Sequence, residues 1–315
     1  MNKDFDVIVI GELNVDLILN QIDSFPEIGK EKLADKMDLV LGSSSAIFAS
    51  NLSSLGAKVS FIGKIGNDIF GNLVLDSLKN KNVNTDLIII DDELKTGATV
   101  VLNFDQDRAM VTHSGAMEHL SIEDIKIEKL KRAKHIHVSS IFLQPELKDN
   151  LFVLFKSAKE NGLTTSLDPQ WDPAEKWDLD LEQLLPYVDV FLPNEVEITK
   201  LTQTNKVDES INKIKNFANS IIVKEGNKGS VSYSKNIKLE VAAYLNDNVI
   251  DAIGAGDSFD AGFIFKYVSG ESIENCQKFG NLTGAINTTS AGGTSAFKNY
   301  TQIVELGKNK FGFEE

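Results

Sequence analysis

The segment Asp251-Ala252-Ile253-Gly254-Ala255-Gly256-Asp257-Ser258-Phe259-Asp260-Ala261-Gly262 carries the most explicit chemistry in this sequence. Three small residues, Gly254, Ala255 and Gly256, stand just before a predicted helix start. With no bulky side chain in the way, successive backbone N–H groups can point at one anion. The positive end of the helix dipole adds to that attraction. Asp257 stands at this N-terminus, where a carboxylate is expected to stay ionised near neutral pH. An ionised carboxylate beside an anion hole suits phosphoryl transfer. The amides hold the charge that spreads over the moving group, and the carboxylate accepts the proton of the attacking hydroxyl. The same residues can also be read as a tight turn closed by an Asp N-cap.

The elements that would position this segment follow from periodicity. Residues 5–10 form an apolar run ending at Gly11, and 15–19 form a second extended stretch. Ala46, Ile47, Ala49, Leu52 and Leu55 recur at helical spacing after Ser43 to Ser45, whose hydroxyls suit an N-terminus. Asp68 can cap a further helix with Phe70, Val74 and Leu78 on one face. Three strand-like runs at 87–90, 98–104 and 108–112 follow with no helix between them, around a turn at Asp105-Gln106-Asp107. From 135 onward strands (135–139, 164–167, 188–192, 221–224) alternate with helical stripes, then a hairpin at 231–243 and helices near 257–268 and 273–290. Repeated β-α units predict a doubly wound, mostly parallel α/β sheet with helices on both faces. The strand-rich pieces at about 13–40 and 87–113 predict a small accessory β-sheet, the whole chain 1–315 forming one domain. Ligands bind beyond the carboxyl ends of such strands. That rule selects Asn14, Asp16, Gly42 to Ser45, Asp168, Asn194, Glu197 and the stretch Lys224 to Gly229.

Composition narrows the partners. With 46 acidic and 32 basic residues the formal net charge is −14, so nucleic acid and anionic membranes are not expected as partners. Hydrophobic residues at 42% and charged residues at 25% are those of a globular protein with a sizeable core. The one cysteine, Cys276, rules out an intramolecular disulfide and a multi-cysteine metal site. The opening MNKDFDVIVIGELNVD lacks a signal-peptide pattern, and no stretch reaches the roughly 20 apolar residues of a membrane span. A cytoplasmic protein is expected. His135 and His137 alternate on one strand and read as core or hydrogen-bonded histidines rather than metal ligands. Trp171 and Trp177 read as packing beneath a loop or as stacking surfaces.

Several spaced motifs, in order, resemble the PfkB/ribokinase-like carbohydrate kinases. DAIGAGDSFDAGF looks like the family's C-terminal signature; Gly11-Glu12 with Asn14 and Asp16 its opening strand; Leu41 to Gly56, then Gly63, Gly66, Asp68 and Gly71, its N-terminal signature. Thr96-Gly97 and Asp105 to Arg108 are similar to its lid strands, Pro193-Asn194-Glu195-Val196-Glu197 to its N-x-x-E motif, and Lys224-Glu225-Gly226 with Gly229 to its nucleotide-proximal loop.

The resemblance implies a ribokinase-like fold with a β-lid, and ATP-dependent phosphorylation of a small sugar or sugar acid. It implies Asp257 as base and Gly254, Ala255 and Gly256 as anion hole. Asn14, Asp16, Gly42, Ser43, Ser44, Ile47, Arg108 and Asp168 would face the sugar; Asn194, Lys224, Gly226, Gly229 and Asn287 the nucleotide. Glu197 would organise Mg²⁺ through water, and Asp251 and Ile253 would frame a monovalent cation, usually K⁺. A homodimer through the lids is implied as well. Two departures stand out. Ser43 and Ile47 replace the second glycine and the asparagine of the usual Gly-Gly-x-x-x-Asn, and Ala252-Ile253 replaces the usual Thr pair. Isoleucine cannot make the asparagine's hydrogen bonds, which bears on substrate identity. The competing readings are a nucleoside kinase and a catalytically silent sugar-binding regulator. A Rossmann enzyme would need a glycine fingerprint that Gly11-Glu12-Leu13-Asn14 lacks.

Overall fold

The computed structural model describes residues 3–104 and 107–314. Its centre is an eight-stranded sheet in the order β14-β13-β12-β11-β10-β9-β1-β4. Strands β1 (Phe5–Ile10), β4 (Val59–Ile62), β9 (Ala133–Ser139), β10 (Thr164–Asp168), β11 (Val190–Phe191) and β12 (Ser220–Lys224) pair in parallel. The hairpin β13 (Ser230–Ser234) and β14 (Ile237–Val241) closes one edge antiparallel. Side chains alternate along β1: Ile8 and Ile10 enter one core, Val7 and Val9 the other. Both faces are apolar because helices cover both.

One face is covered by α5 (Leu151–Glu160), α7 (Glu195–Thr202), α8 (Val207–Ile214) and the short α3 (Ile127–Leu130), α4 (Pro145–Lys148) and α6 (Leu181–Leu184). The other is covered by α1 (Ser44–Ser54), α2 (Ile69–Asn80) and α9 (Ala255–Val268). Behind α9 lie α10 (Ile273–Asn287) and α11 (Tyr300–Phe311). Phe259, Phe263 and Ile264 anchor α9, each buried side chain contributing about 1.5–3 kcal/mol. The mouth of α9 is therefore held rigidly against the sheet. Cys276 is buried in this core.

A separate four-stranded sheet, ordered β3-β2-β7-β8, stands outside the layer: β2 (Asn14–Asn20), β3 (Lys36–Leu41), β7 (Gly97–Phe104) and β8 (Asp107–His113). The strand expected at 87–90 does not join it. Instead β6 (Ile89–Asp91) pairs in parallel with β5 (Lys64–Gly66). The turn expected around Asp105 and Gln106 lies outside the described residues. The helical stripe expected between the strands at 135–139 and 164–167 is broken into α4 and α5 at Asp149-Asn150.

Ser43, the N-cap of α1, has φ of 72°, a backbone state that favours glycine. Its hydroxyl recovers part of that cost. It donates to the Glu12 carbonyl at 2.6 Å and accepts from the Ala46 amide at 2.9 Å. Ser43→Ala keeps the strain and loses both bonds, so a loss of about 1–2 kcal/mol is expected, whereas Ser43→Gly loses the bonds but relaxes the backbone. Urea unfolding should place glycine above alanine in stability; the reverse order would mean the strain is not real.

Candidate active site

The carboxyl ends of the parallel strands bring the polar residues together. Asp168 ends β10, Lys224 ends β12, and Glu12 follows β1. The mouth of α9 points into this rim. Gly254 leads into the helix with φ of 75°, and Asp257 lies in the first turn. The Ala255 amide donates to the Ala252 carbonyl at 3.2 Å, so of the expected anion hole Gly254 and Gly256 are the members without that engagement. Gly256 leaves room for a ligand: a Cβ there would meet only the Lys224 Nζ, at 3.8 Å. A positive charge and a helix N-terminus thus face the same space, which suits an anion.

Lys224 Nζ is held by Asp168 Oδ2 at 2.8 Å and Asp260 Oδ2 at 3.0 Å, with both carboxylates buried. Burial alone would deprotonate this lysine, but Asp168 and Asp260 outweigh it and keep the ammonium charged. Gln170 Nε2 bridges Asp168 Oδ2 at 2.6 Å and Asp257 Oδ1 at 2.8 Å. Asp257 differs from its expected state. Burial first, then the charges of Asp168 and Glu12, push its carboxyl up to about 7, against the pull of Lys224 and Gln170. At neutral pH it is therefore divided between its two forms rather than fully ionised.

The N-x-x-E segment forms a capping box at α7. Asn194 Oδ1 accepts from the Val196 and Glu197 amides at 2.9 Å, and Glu197 accepts from the Asn194 amide at 2.9 Å and its Nδ2 at 2.6 Å. Burial and the neighbouring Asp168 raise the Glu197 carboxyl to about 8. Among the described residues no three His, Cys, Asp or Glu side chains converge to hold a metal directly. The hard-oxygen set does fit a water-sheathed Mg²⁺. Glu197 and Asp260 stand near the rim, and Asp260 Oδ1 is buried without a hydrogen-bond partner.

On the lid side Asn14 Nδ2 donates to Asp16 Oδ1 at 3.1 Å and Thr99 Oγ1 at 3.0 Å. Burial raises Asp16 to about 6, opposed by Asn14 and by the charge of Arg108 on β8. Gly42 keeps this corner open, since a Cβ there would lie 2.4 Å from Asp16 Oδ1. Ser44 opens α1 beside it.

Four expected site residues are placed differently. Ile47 does not present itself to a ligand: it is buried against Gly254 and Gly293, where ideal Cβ positions lie 3.1 and 2.5 Å from its side chain. Asn287, expected to face the nucleotide, is buried, and its side chain is bonded within the protein. Its Nδ2 donates to the Ile253 carbonyl at 2.6 Å and its Oδ1 accepts from Ser258 at 3.0 Å. Asp251 clasps the loop through the Ile253 and Gly292 amides, each at 2.9 Å. The Ile253 carbonyl and the two Asp251 oxygens each accept one hydrogen bond within this loop. Gly226 (φ 56°) and Gly229 (φ 105°) serve the turn between β12 and β13. His135 and His137 are buried and bonded to Ser166 at 2.7 and 2.8 Å, and desolvation depresses both. Trp177 is buried while Trp171 is half exposed. Glu12, Gln170 and Asp260 were not singled out in sequence as site residues. Only Asp260 carried a signal, one helical turn beyond Asp257.

The raised carboxyls set a pH trend. Asp16, Asp257 and Glu197 titrate near 6, 7 and 8 when folded and near 4 when unfolded. Their folded pKa values are raised, so the associated stability is present at low pH and lost as pH rises through 6 to 8. Thermal unfolding should give a higher Tm at about pH 6.5 than at about pH 8.5; an equal or lower value would contradict this burial.

Comparison with known proteins bears on the family and the fold. Residues 4–299 match the profile of the pfkB family carbohydrate kinases. Probable fructokinase-5 of Arabidopsis thaliana is 27% identical, covering 96% of this chain and 98% of its own length. The nucleoside kinase of Methanothermobacter thermautotrophicus is 23% identical, covering 100% and 99%. The structure of Arabidopsis thaliana ribokinase with ribose and ATP superposes with a TM-score of 0.84 at 23% identity, covering 97% and 99%. The fold is thus that of the ribokinases, and among the described residues no helix is long and apolar enough to cross a membrane. With the family profile spanning nearly the whole chain, this protein belongs to the pfkB family of carbohydrate kinases.

Proposed function

We propose that the protein transfers the γ-phosphoryl group of ATP to a hydroxyl of a small neutral sugar, with Asp257 as base. The observation that carries this reading is the meeting of Asp257, the α9 mouth and the Lys224 ammonium at one rim. Asp16 accepts from sugar hydroxyls, and Asn14 holds that carboxylate in place. Asp257 takes the acceptor proton as the hydroxyl attacks. The amides of Gly254 and Gly256, with Lys224 beside them, take up the charge on the moving group, while the Ala255 amide is held by the Ala252 carbonyl. Glu197 and Asp260 would hold a water-sheathed Mg²⁺ near the rim, and that ion would supply positive charge against the nucleotide phosphates. No step is routed through K⁺.

A neutral sugar is favoured over a sugar acid by charge. The carboxylates Asp16, Asp168, Asp257 and Asp260 outnumber the cations Lys224 and Arg108 around the acceptor space. A substrate carboxylate would meet repulsion there. The test is ATP-dependent phosphorylation across fructose, ribose, 2-keto-3-deoxygluconate and adenosine. Turnover of a neutral sugar is expected. Preference for adenosine would favour the nucleoside reading, preference for the keto-acid would overturn the charge argument, and binding without turnover would favour a silent regulator.

Met37, Leu39 and Val111 are exposed on one face of the lid sheet. An apolar patch of this kind is suited to a second copy of the chain. Light scattering after gel filtration should give twice the chain mass; a monomer would remove the lid dimer.

A further inference from the structure

We propose that Gln170 is the positioning residue of Asp257: its side-chain amide, fixed against Asp168, occupies Oδ1 of Asp257 and turns Oδ2 toward the acceptor hydroxyl. This rests on the reading of Asp257 as base.

Gln170 Nε2 lies 2.6 Å from Asp168 Oδ2 and 2.8 Å from Asp257 Oδ1. Asp168 Oδ2 pairs with the Lys224 ammonium and so accepts, which places the amide nitrogen of Gln170 rather than its oxygen against it, and the ionised form of Asp257 accepts from the same nitrogen. An NH₂ group has two protons and satisfies both at once. Asp168 Oδ2 is itself pinned by Lys224 at 2.8 Å. The result is a chain, Lys224–Asp168–Gln170–Asp257, running from the anion end of the rim to the base. Each member fixes the next.

The backbone points the same way. Gln170 has φ of 60°, a left-handed state that costs a side-chain-bearing residue energy and is best tolerated by Gly and Asn. A residue kept only for the turn after Asp168-Pro169 would be one of those two. Glutamine is the side chain that reaches both carboxylates from this position. Glutamate would add a third negative charge, and methionine would leave both oxygens without a donor.

The groups facing Asp257 are Asp168 from β10, Lys224 from β12, Glu12 from the end of β1, and Glu197 from α7. Asp168, Glu12 and Glu197 hinder ionisation; Lys224 and Gln170 assist it. Removing Gln170 takes away one of two assisting groups, so Asp257 should hold its proton to higher pH.

The variants Gln170→Asn and Gln170→Gly separate positioning from folding, because both suit the left-handed backbone and neither reaches Asp257. The expected result is a Tm only slightly changed, the relaxed backbone offsetting part of the lost hydrogen bonds, with kcat reduced roughly 10- to 100-fold at nearly constant KM for ATP and sugar. The acid limb of the kcat profile should move to higher pH. The Asp257 carboxyl, followed by ¹³C NMR titration, should shift upward in Gln170→Asn. Unchanged kcat and an unchanged Asp257 titration would overturn the proposal. So would activity lost only in step with Tm. Because the titration does not depend on turnover, an inactive enzyme would count against the base reading while the shift still tests the Gln170 contact.

Discussion

Asp257→Asn is expected to lower phosphorylation by ~10²- to 10⁴-fold, the usual range for loss of a general base. Asparagine has the same shape and can still accept the Gln170 hydrogen bond at the Oδ1 position. It has no titratable oxygen. Asp257 is buried and its carboxyl is raised to about 7, so the neutral replacement removes a desolvation penalty rather than creating one. The variant should therefore unfold at the same temperature as the parent, or higher, and more so above pH 7 where the parent carries the buried charge. Activity and stability then move in opposite directions. In the parent the acid limb of kcat should have its midpoint near 7, because the base works only when deprotonated. Steady-state rates with matched thermal unfolding decide the matter. Retained activity removes Asp257 from the base role, and a matched fall in Tm would make the effect structural.

Lys224→Met should be the most damaging substitution for the fold of the rim. The ammonium is the partner of two buried carboxylates, at 2.8 and 3.0 Å. Removing one member of a buried ion pair costs about 3–5 kcal/mol, since the remaining charge has lost its counter-ion. Here Asp168, Asp257, Asp260 and Glu197 would be left without it. The cost should depend on pH. Lys224 pulls down the Asp260 and Glu197 carboxyls, so without it they take up protons more readily and relieve the repulsion as pH falls. Urea unfolding should show a larger loss at about pH 8.5 than at about pH 6. A pH-independent loss, or one under about 1 kcal/mol, would mean that the pairs matter little. Turnover should fall too, because the positive charge beside Gly256 is gone.

The sequence-visible part of this protein is the part written in local pattern. Alternation of strands and helices from 135 onward predicted the parallel sheet, because apolar runs of strand length between amphipathic stripes have few other solutions. The 254–257 turn was legible because its small residues and Asp257 are contiguous. Asp168 and Lys224 were legible because each closes an apolar run at a strand end. What escaped depends on distant partners. Nothing in Ile89–Asp91 says that it pairs with Lys64–Gly66 rather than with the lid. Asn287 reads as a polar residue on a helix, and only the fold shows it turned inward onto Ile253 and Ser258. Gln170 is a glutamine in a loop until its φ of 60° and its two carboxylate neighbours are seen. The ionisation of Asp257 depends on distant partners in the same way. A helix N-terminus favours the anion, but the burial and neighbouring charges that oppose it come from β1 and β10.

The most direct measurement is a crystal structure of the enzyme with its accepted sugar and a non-hydrolysable ATP analogue. The acceptor hydroxyl should lie about 2.6–3.2 Å from Asp257 Oδ2, with the terminal phosphate on the amides that open α9. A sugar whose reacting hydroxyl rests on Asp16 or Asp168, with Asp257 out of reach, would contradict the central role given to Asp257.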